Sequence, residues 1–430
     1  MAAAASVDPA RWVRGFDEVM GRIAGRFARV EPRRRVRVFV LGLLAGLPRV
    51  NCWTIAEHAG EASPDGMQHL LARAVWDADA VRDDLRDYVV EHLADPEAVL
   101  VIDETGDVKK GAKTVGVQRQ YTGTAGRIEN SQVGVYLVYA AAAGHAFIDR
   151  ALYLPRCWAQ DETRRREAAV PAEVEFATKP ALARTMIARA LDAGTPAAWV
   201  AGDEVYGADP GLRGDLHTRR VGYVLAVAKN HPVTVGTGKR RAAELAAGLP
   251  ARAWQRISAG PGAKGHRWYD WALVEVTEHA SGQHWLLLRR HPRTGELAFY
   301  RAYSPTPVPL AALVAVAGRR WAVEESFQTG KELAALDEHQ VRGWTSWHRW
   351  TVLAMLAHAF LSVTAAAERA GPAPTGLIPL TCNEIRHLFT TLILRPVLNA
   401  AHRLHWSLWR RRHQARARAS HYRRQAATHA

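Results

Sequence analysis

Between residues 8 and 95 the apolar positions recur at helical spacing. Trp12, Phe16, Met20 and Ile23 share one face, Pro32 can open a second helix, and Asn51 can cap a third. From Pro96 the texture changes to alternating strands and helices. AVLVID is a strand, QVGVYLVYAAAAGHAFIDRALYLP reads as two strands joined at Ala143-Gly144, AAWVAGD is a strand ending in Asp203, and VGYVLAVAKN is another. KPALARTMIARALDAG is helical and stops at Gly194. The stretch from His231 to Ser304 is rich in Gly and Trp and holds three more predicted strands, RWYDWALVEV, HWLLLRR and ELAFYRAY. A long helical stretch runs from about Pro309 to Leu336, followed by a Trp-rich helix from Trp344. GPAPTG, 371–376, is a linker by composition, and no internal repeat is evident.

A chain of 430 residues is too long for one compact core, so several domains are expected. The pattern divides it into a helical segment 1–96, an α/β segment 97–230, a β-rich segment 231–304, a return to the α/β part at 305–370, and a C-terminal region 371–430. A hydrophobic content of 48% with 23% charged residues describes a globular protein. The longest apolar stretch, TVLAMLAHAFLSVTAAAE, carries His358 and ends early, which suits a core helix better than a membrane span. MAAAASVDPARW lacks the features of a signal peptide, and the three cysteines offer neither a disulfide framework nor zinc spacing. The expected location is the cytoplasm.

Net charge changes the picture most. A formal +15 points to a polyanionic partner, and nucleic acid is the natural one. No acid follows Glu384, and the tail reads RLHWSLWRRRHQARARASHYRRQ, with Arg410, Arg411 and Arg412 in one run. A solvated basic tail is the ordinary alternative. Near the other end, NCWTIAEHAGEASPDGMQHLLARAVW looks like a helix, a tight turn and a second helix. Such units can lie in the major groove of DNA, though helical hairpins without that role are common.

Two apolar strands end in aspartate, VLVID at Asp103 and WVAGD at Asp203, and each is followed by glutamate. Reactive groups in α/β sheets gather beyond strand ends. In GRRWAVEESFQTGKELAAL, the residues Arg320, Glu324, Phe327 and Lys331 fall on one helical stripe, and Glu325 points away from it. Trp321, Val323 and Leu333 suggest that this helix is packed, so the charged stripe borders the core. Three carboxylates in a basic protein suit phosphodiester chemistry by two Mg²⁺ ions about 3.5–4 Å apart. Mg²⁺ takes oxygen ligands and needs no His or Cys, and Mn²⁺ can substitute. Asp103, Asp203 and Glu324 are then the expected metal ligands. Arg320 and Lys331 would hold the phosphate, with Lys109 and Lys110, just past the first strand, facing DNA.

The motifs VIDETG, GDEVYG and R-W-A-V-E-E-S-F-Q-T-G-K, in this order, resemble those of DDE transposases of bacterial insertion sequences, in the branch containing insertion-sequence families 4 and 701. The spacing Arg320, Glu324, Lys331 fits the signature Y-(2)-R-(3)-E-(6)-K, and the resemblance runs from about residue 40 to 395. It implies a ribonuclease-H-like core interrupted by a β-rich insertion at 231–304. A helical N-terminal DNA-binding domain and a basic helical C-terminal region would flank that core. It also implies a nucleoid-associated bacterial enzyme that binds the terminal inverted repeats of its element as at least a homodimer. Such an enzyme cleaves the phosphodiester and joins the 3′-OH ends to target DNA. Ala317 stands where the signature has tyrosine, so that residue's role does not transfer; Trp321 is the aromatic nearby. A metal-dependent nuclease of the same fold and a catalytically inactive DNA-binding derivative are the other readings open to these residues.

Overall fold

The computed structural model describes residues 7–429, apart from 237, 263–264, 279, 372–376 and 395–398, with side chains to Arg424. The GPAPTG linker beyond Gly371 therefore lies outside the described residues. Five helices come first: α1 (Pro9–Ile23), α2 (Val30–Leu44), α3 (Cys52–His58), α4 (Asp65–Ala72) and α5 (Ala78–Leu93). The periodic face of α1 buries Trp12, Phe16, Met20 and Ile23 as its spacing predicts, and Asn51 caps α3 through a reciprocal capping box with Thr54.

The strands follow: β1 (Val99–Val108), β2 (Gln118–Thr122), β3 (Arg127–Ala140) and β4 (His145–Leu152). Short helices α6 (Arg156–Ala159) and α7 (Glu162–Glu167) lead to α8 (Lys179–Asp192), β5 (Trp199–Gly202), α9 (Glu204–Gly207), α10 (Pro210–Thr218) and β6 (Gly222–Val227). The β-rich segment contributes β7 (Pro232–Val235), β8 (Gly238–Arg241), α11 (Ala242–Ala247), β9 (Gln255–Gly262), β10 (Gly265–Glu275), β11 (Gln283–Arg290) and β12 (Leu297–Ser304). The chain continues through α12 (Leu310–Arg319), α13 (Trp321–Ala334), α14 (Trp344–Arg369), α15 (Cys382–Leu392) and α16 (Ala400–His429).

The architecture is mixed α/β. A ten-stranded sheet runs in the order β2-β3-β1-β5-β6-β12-β11-β10-β9, with β4 also paired to β3. β3 is antiparallel to β1, whereas β5 and β6 continue parallel to it. Parallel strands are covered on both faces, and the all-buried VLVI of β1 and WVAG of β5 show it. The segment 231–304 does not build a separate sheet. Its last strand pairs antiparallel with β6, so the main sheet is prolonged, and among the described residues only the β7–β8 hairpin stands apart.

One helix, α14, is long and apolar enough to cross a membrane, yet 83% of its apolar window is buried inside the protein. It packs against α1, α2, α4, α5, α13, α15 and β4, which makes it the pillar between the helical segment and the sheet. A buried ionic cluster fastens the same junction. Asp149 accepts from Arg82 of α5 and Arg189 of α8, and Arg150 reaches Asp79. Removing one partner there would strand a buried charge.

The helical stretch expected from Pro309 to Leu336 is not continuous. It breaks at Arg320, between α12 and α13. A Cβ on Gly318 would lie 2.0 Å from the Ala259 carbonyl oxygen, so α12 ends flush against β9 and α13 sets off afresh. The basic C-terminal run is helical in α16, and its first half is docked. Trp406 is buried and donates to the Glu61 carbonyl, Trp409 packs edge-on to Trp53, and His402 contacts the Glu57 carbonyl.

Candidate active site

β1 and β5 run parallel with Ile102 in register with Gly202, so Asp103 and Asp203 stand side by side; the strand expected to end in Asp103 in fact runs on to Val108 through its pairing with β3, and only Asp203 lies past the end of its strand. Asp203 is also the N-cap of α9, its Oδ1 accepting the Val205 N–H at 2.9 Å. The glycine closing GDEVYG has a steric reason. A Cβ on Gly207 would sit 1.9 Å from the Ala226 carbonyl oxygen, so only glycine lets α9 press onto β6. Asp103 Oδ1 accepts the Glu104 N–H.

α13 brings the third carboxylate. Its buried face carries Val323, Phe327 and Leu333, with Phe327 against Tyr136 and Phe147, and this packing turns Glu324 and Lys331 toward the strand ends. Arg320, at the break before α13, bridges the acids: its guanidinium lies 3.4 Å from Asp103 Oδ2 and 3.7 Å from Glu324 Oε1. Lys331 donates to Thr105 Oγ1 at 2.7 Å. Asp103, Asp203, Arg320, Glu324 and Lys331 line one cleft of about 520 Å³, together with Glu104, Thr105, Gly123, Thr124, Phe327 and Gln328. Glu325 faces elsewhere and pairs with His145 at 3.2 Å. A larger cavity, about 660 Å³, lies across α13 on that side and contains none of the strand-end acids.

Crowding of like charge in a shielded place shapes the electrostatics. Burial, and then the neighbouring Asp203, push the Asp103 carboxyl up to about 8 against the pull of Arg320. Asp203 is raised as well, by burial and then by Glu104. Glu104 accepts hydrogen bonds from Lys179 at 2.6 Å and from the Tyr206 hydroxyl at 2.5 Å. Sequence reasoning passed over Lys179, Tyr206, Thr105 and Thr124. The tyrosine of GDEVYG was the one visible sign, since a buried hydroxyl needs a partner.

An oxygen-only donor set in which burial and then the crowding of like charge disfavour the charged forms of Asp103 and Asp203 fits a divalent cation, which would offset that crowding. In this structure Arg320 does part of that neutralising. The cleft acids do not close on one point. Among the described residues, only the exposed Glu18, Glu91 and His92 place ligand atoms within 4.8 Å of one another, and Arg22 already pairs with both glutamates.

The expected cations divide. Arg320 and Lys331 are in the cleft. Lys109 is corrected: its ammonium turns inward, donates to the His339 carbonyl at 3.0 Å and lies beside Asp107, and burial lowers its pKa. Lys110 is exposed but does not line the cleft. Arg410 is drawn onto Glu57 at 2.5 Å by the docking of α16, whereas Arg411 and Arg412 point to solvent.

The family model for DDE superfamily endonucleases matches residues 23–271, more than half of the chain, and the chain belongs to that family. Membership implies the use of a divalent metal ion. Over 196 residues it is 30% identical to a protein described as a probable transposase for insertion sequence element IS701 from Microchaete diplosiphon, which covers 45% of this chain and 49% of the relative. The chain thus spans about half the length of that curated relative. A cryo-EM structure of the piggyBac transposase synaptic complex with hairpin DNA aligns over 93% of this chain and 84% of that one, at 11% identity and a TM-score of 0.48.

Proposed function

We propose that the protein is a DNA transposase: it binds the terminal inverted repeats of an insertion sequence, cleaves the phosphodiester bonds at their ends and joins the freed 3′-OH to target DNA. The observation that carries this reading is the meeting of Asp103, Asp203 and Glu324 with Arg320 and Lys331 in one cleft. The strand order β4-β3-β1-β5-β6, with β3 alone antiparallel to β1 within the run from β3 to β6, supports a ribonuclease-H-like core at 97–230 and 305–370. The insertion 231–304 interrupts it, and 1–96 and 371–430 supply DNA-binding flanks.

Asp103, Asp203 and Glu324 would hold two Mg²⁺ ions, or Mn²⁺ in their place. When bound, such a pair activates the attacking oxygen and stabilises the leaving one. The chain's own residues do the rest. Asp203 is fixed by the α9 backbone and Asp103 by the Glu104 N–H, so both carboxylates are oriented before any ligand arrives. Lys331, steadied by the Thr105 hydroxyl, stands where it can pair with a phosphate oxygen beside the scissile bond. Arg320 would leave its carboxylates for the phosphate and offset charge that develops on the phosphoryl oxygens. A homodimer in the cytoplasm, on nucleoid DNA, would hold two ends at once.

The test uses DNA carrying the inverted repeats that flank the gene. With Mg²⁺, Glu324→Gln is expected to abolish end cleavage and Glu325→Gln to leave most of it. Equal loss in both variants would refute the assignment.

A further inference from the structure

The cleft has a rim that none of the three motifs contains. β2 and β3 form a hairpin whose turn closes on β1. Thr124 Oγ1 lies 3.3 Å from Thr105 Oγ1 and 3.4 Å from Lys331 Nζ, and Gly123 lines the cleft beside it. The seat is tight, because a Cβ on Gly106 would fall 2.2 Å from the Thr122 hydroxyl oxygen.

Register then fixes what the hairpin displays. Tyr121 is opposite Ile128, and Arg119 is opposite Asn130. β3 pairs with β1 without a register shift, Asp103 opposite Tyr136. Side chains alternate along a strand, so Ile128 and Asn130 share the face of Tyr136, and Arg119 and Tyr121 share it with Asp103. Tyr136 is covered by Phe327 of α13, but Tyr121 and Ile128 are 65% and 57% exposed. An aromatic ring directly across from a branched aliphatic side chain is a pair that normally buries against something. Here it lies open beside a cleft built for phosphate, with Arg119 also exposed on the same face. Glu129, the acid of this hairpin, projects to the opposite face and pairs with Arg127.

We propose that this face of the hairpin, Tyr121 with Ile128 and Arg119, is a stacking platform for an unpaired DNA strand that leaves the cleft. The proposal rests on the reading of the cleft as a site of DNA cleavage. An aromatic ring next to an arginine is the pairing that takes a base on its face and the following phosphate on its charge, without regard to sequence. Because the turn of the same hairpin touches Lys331, a strand passing the scissile phosphate meets this platform next.

The experiment measures binding of the full-length protein to a labelled oligothymidylate of about 20 nucleotides and to a duplex of equal length. Loss of one stacked base is worth roughly five- to a hundredfold in affinity. Tyr121→Ala is expected to weaken oligothymidylate binding within that range while duplex binding and melting temperature hold. Tyr121→Phe should restore the affinity, and Arg119→Gln should flatten the single-strand salt dependence by about 0.7 in log–log slope. Unchanged oligothymidylate binding by Tyr121→Ala, or equal loss on both DNAs, overturns the platform. Absence of any Mn²⁺-dependent nicking by the wild-type protein would instead overturn the cleft reading, and is measured separately.

Discussion

The strand-end cleft and helix α16 are both charged, and they use charge in opposite ways. In the cleft, acids from β1, the end of β5 and α13 are forced together, Asp103 with only 13% of its side chain exposed. Their positions are set by parallel register, by Gly207 against β6 and by the packing of Phe327. On α16, Arg411, Arg412, Arg416 and Arg418 stand exposed, spaced along one helix whose first half is anchored at Trp406 and Trp409. Enclosed charge is costly and therefore specific in geometry, which suits chemistry. Displayed charge is cheap and tolerant, which suits affinity for a polyanion.

The two regions should respond differently when broken. Asp203→Asn is expected to lower DNA cleavage by roughly a thousandfold or more, the scale of losing a preorganised electrostatic partner. Binding of end DNA in a gel-shift assay should remain within a few-fold. On α16, changing Arg411, Arg412, Arg416 and Arg418 together to Gln should act the other way round. The salt slope of duplex binding should fall by as much as about 3.6, that is about 0.9 for each of four contacts, with little effect on cleavage at saturating DNA. If the quadruple variant keeps the wild-type slope, the tail is not an arm for DNA.

Two smaller effects sharpen the contrast. Gly207→Ala drives a methyl group into the Ala226 carbonyl, so α9 must lift and carry Asp203 with it. Urea titration should show a loss of about 1–3 kcal/mol, the usual scale of overpacking, accompanied by slower cleavage. The pH response comes from Asp103. Its folded pKa, about 8, lies above the ordinary carboxylate value of about 3.9, so its stabilising contribution is full below that value and is lost as pH rises toward 8. Without metal, the melting temperature should therefore decline between about pH 4 and 8 and level off above, and Asp103→Asn should flatten the decline. Added Mn²⁺ should displace the proton, so calorimetric Mn²⁺ affinity should rise over the same interval.

Much of this was legible in the residues, for identifiable reasons. The runs that lead into Asp103 and Asp203 are uninterrupted and apolar, and the stripe Glu324, Phe327, Lys331 is a helical period; both are local patterns, whereas the continuation of β1 past Asp103 to Val108 comes from its pairing with β3. Glu324 was separable from Glu325 by the same period, and His145 now accounts for the second glutamate. What escaped was set by tertiary approach. The break at Arg320 falls two residues past Gly318, where a distant strand approaches at Ala259 too closely for any side chain, a contact no local pattern announces. The inward turn of Lys109 depends on His339, 230 residues away, and the loss of Arg410 to Glu57 depends on α16 folding back onto α3. β2 and the first residues of β3 left no hydrophobic alternation to read, because they are mostly polar and exposed; β3 was legible as a strand only from Gln132 onward.

The central claim, that Asp103, Asp203 and Glu324 form one metal-binding cleft, is tested most directly by anomalous diffraction from Mn²⁺-soaked crystals of the wild-type protein and of Glu324→Gln. The expected result is Mn²⁺ density between the Asp103 and Asp203 carboxylates within reach of Glu324, weakened in the variant. Mn²⁺ bound only at Glu18, Glu91 and His92, or beside Glu325 and His145, with the strand-end cleft empty, would contradict it.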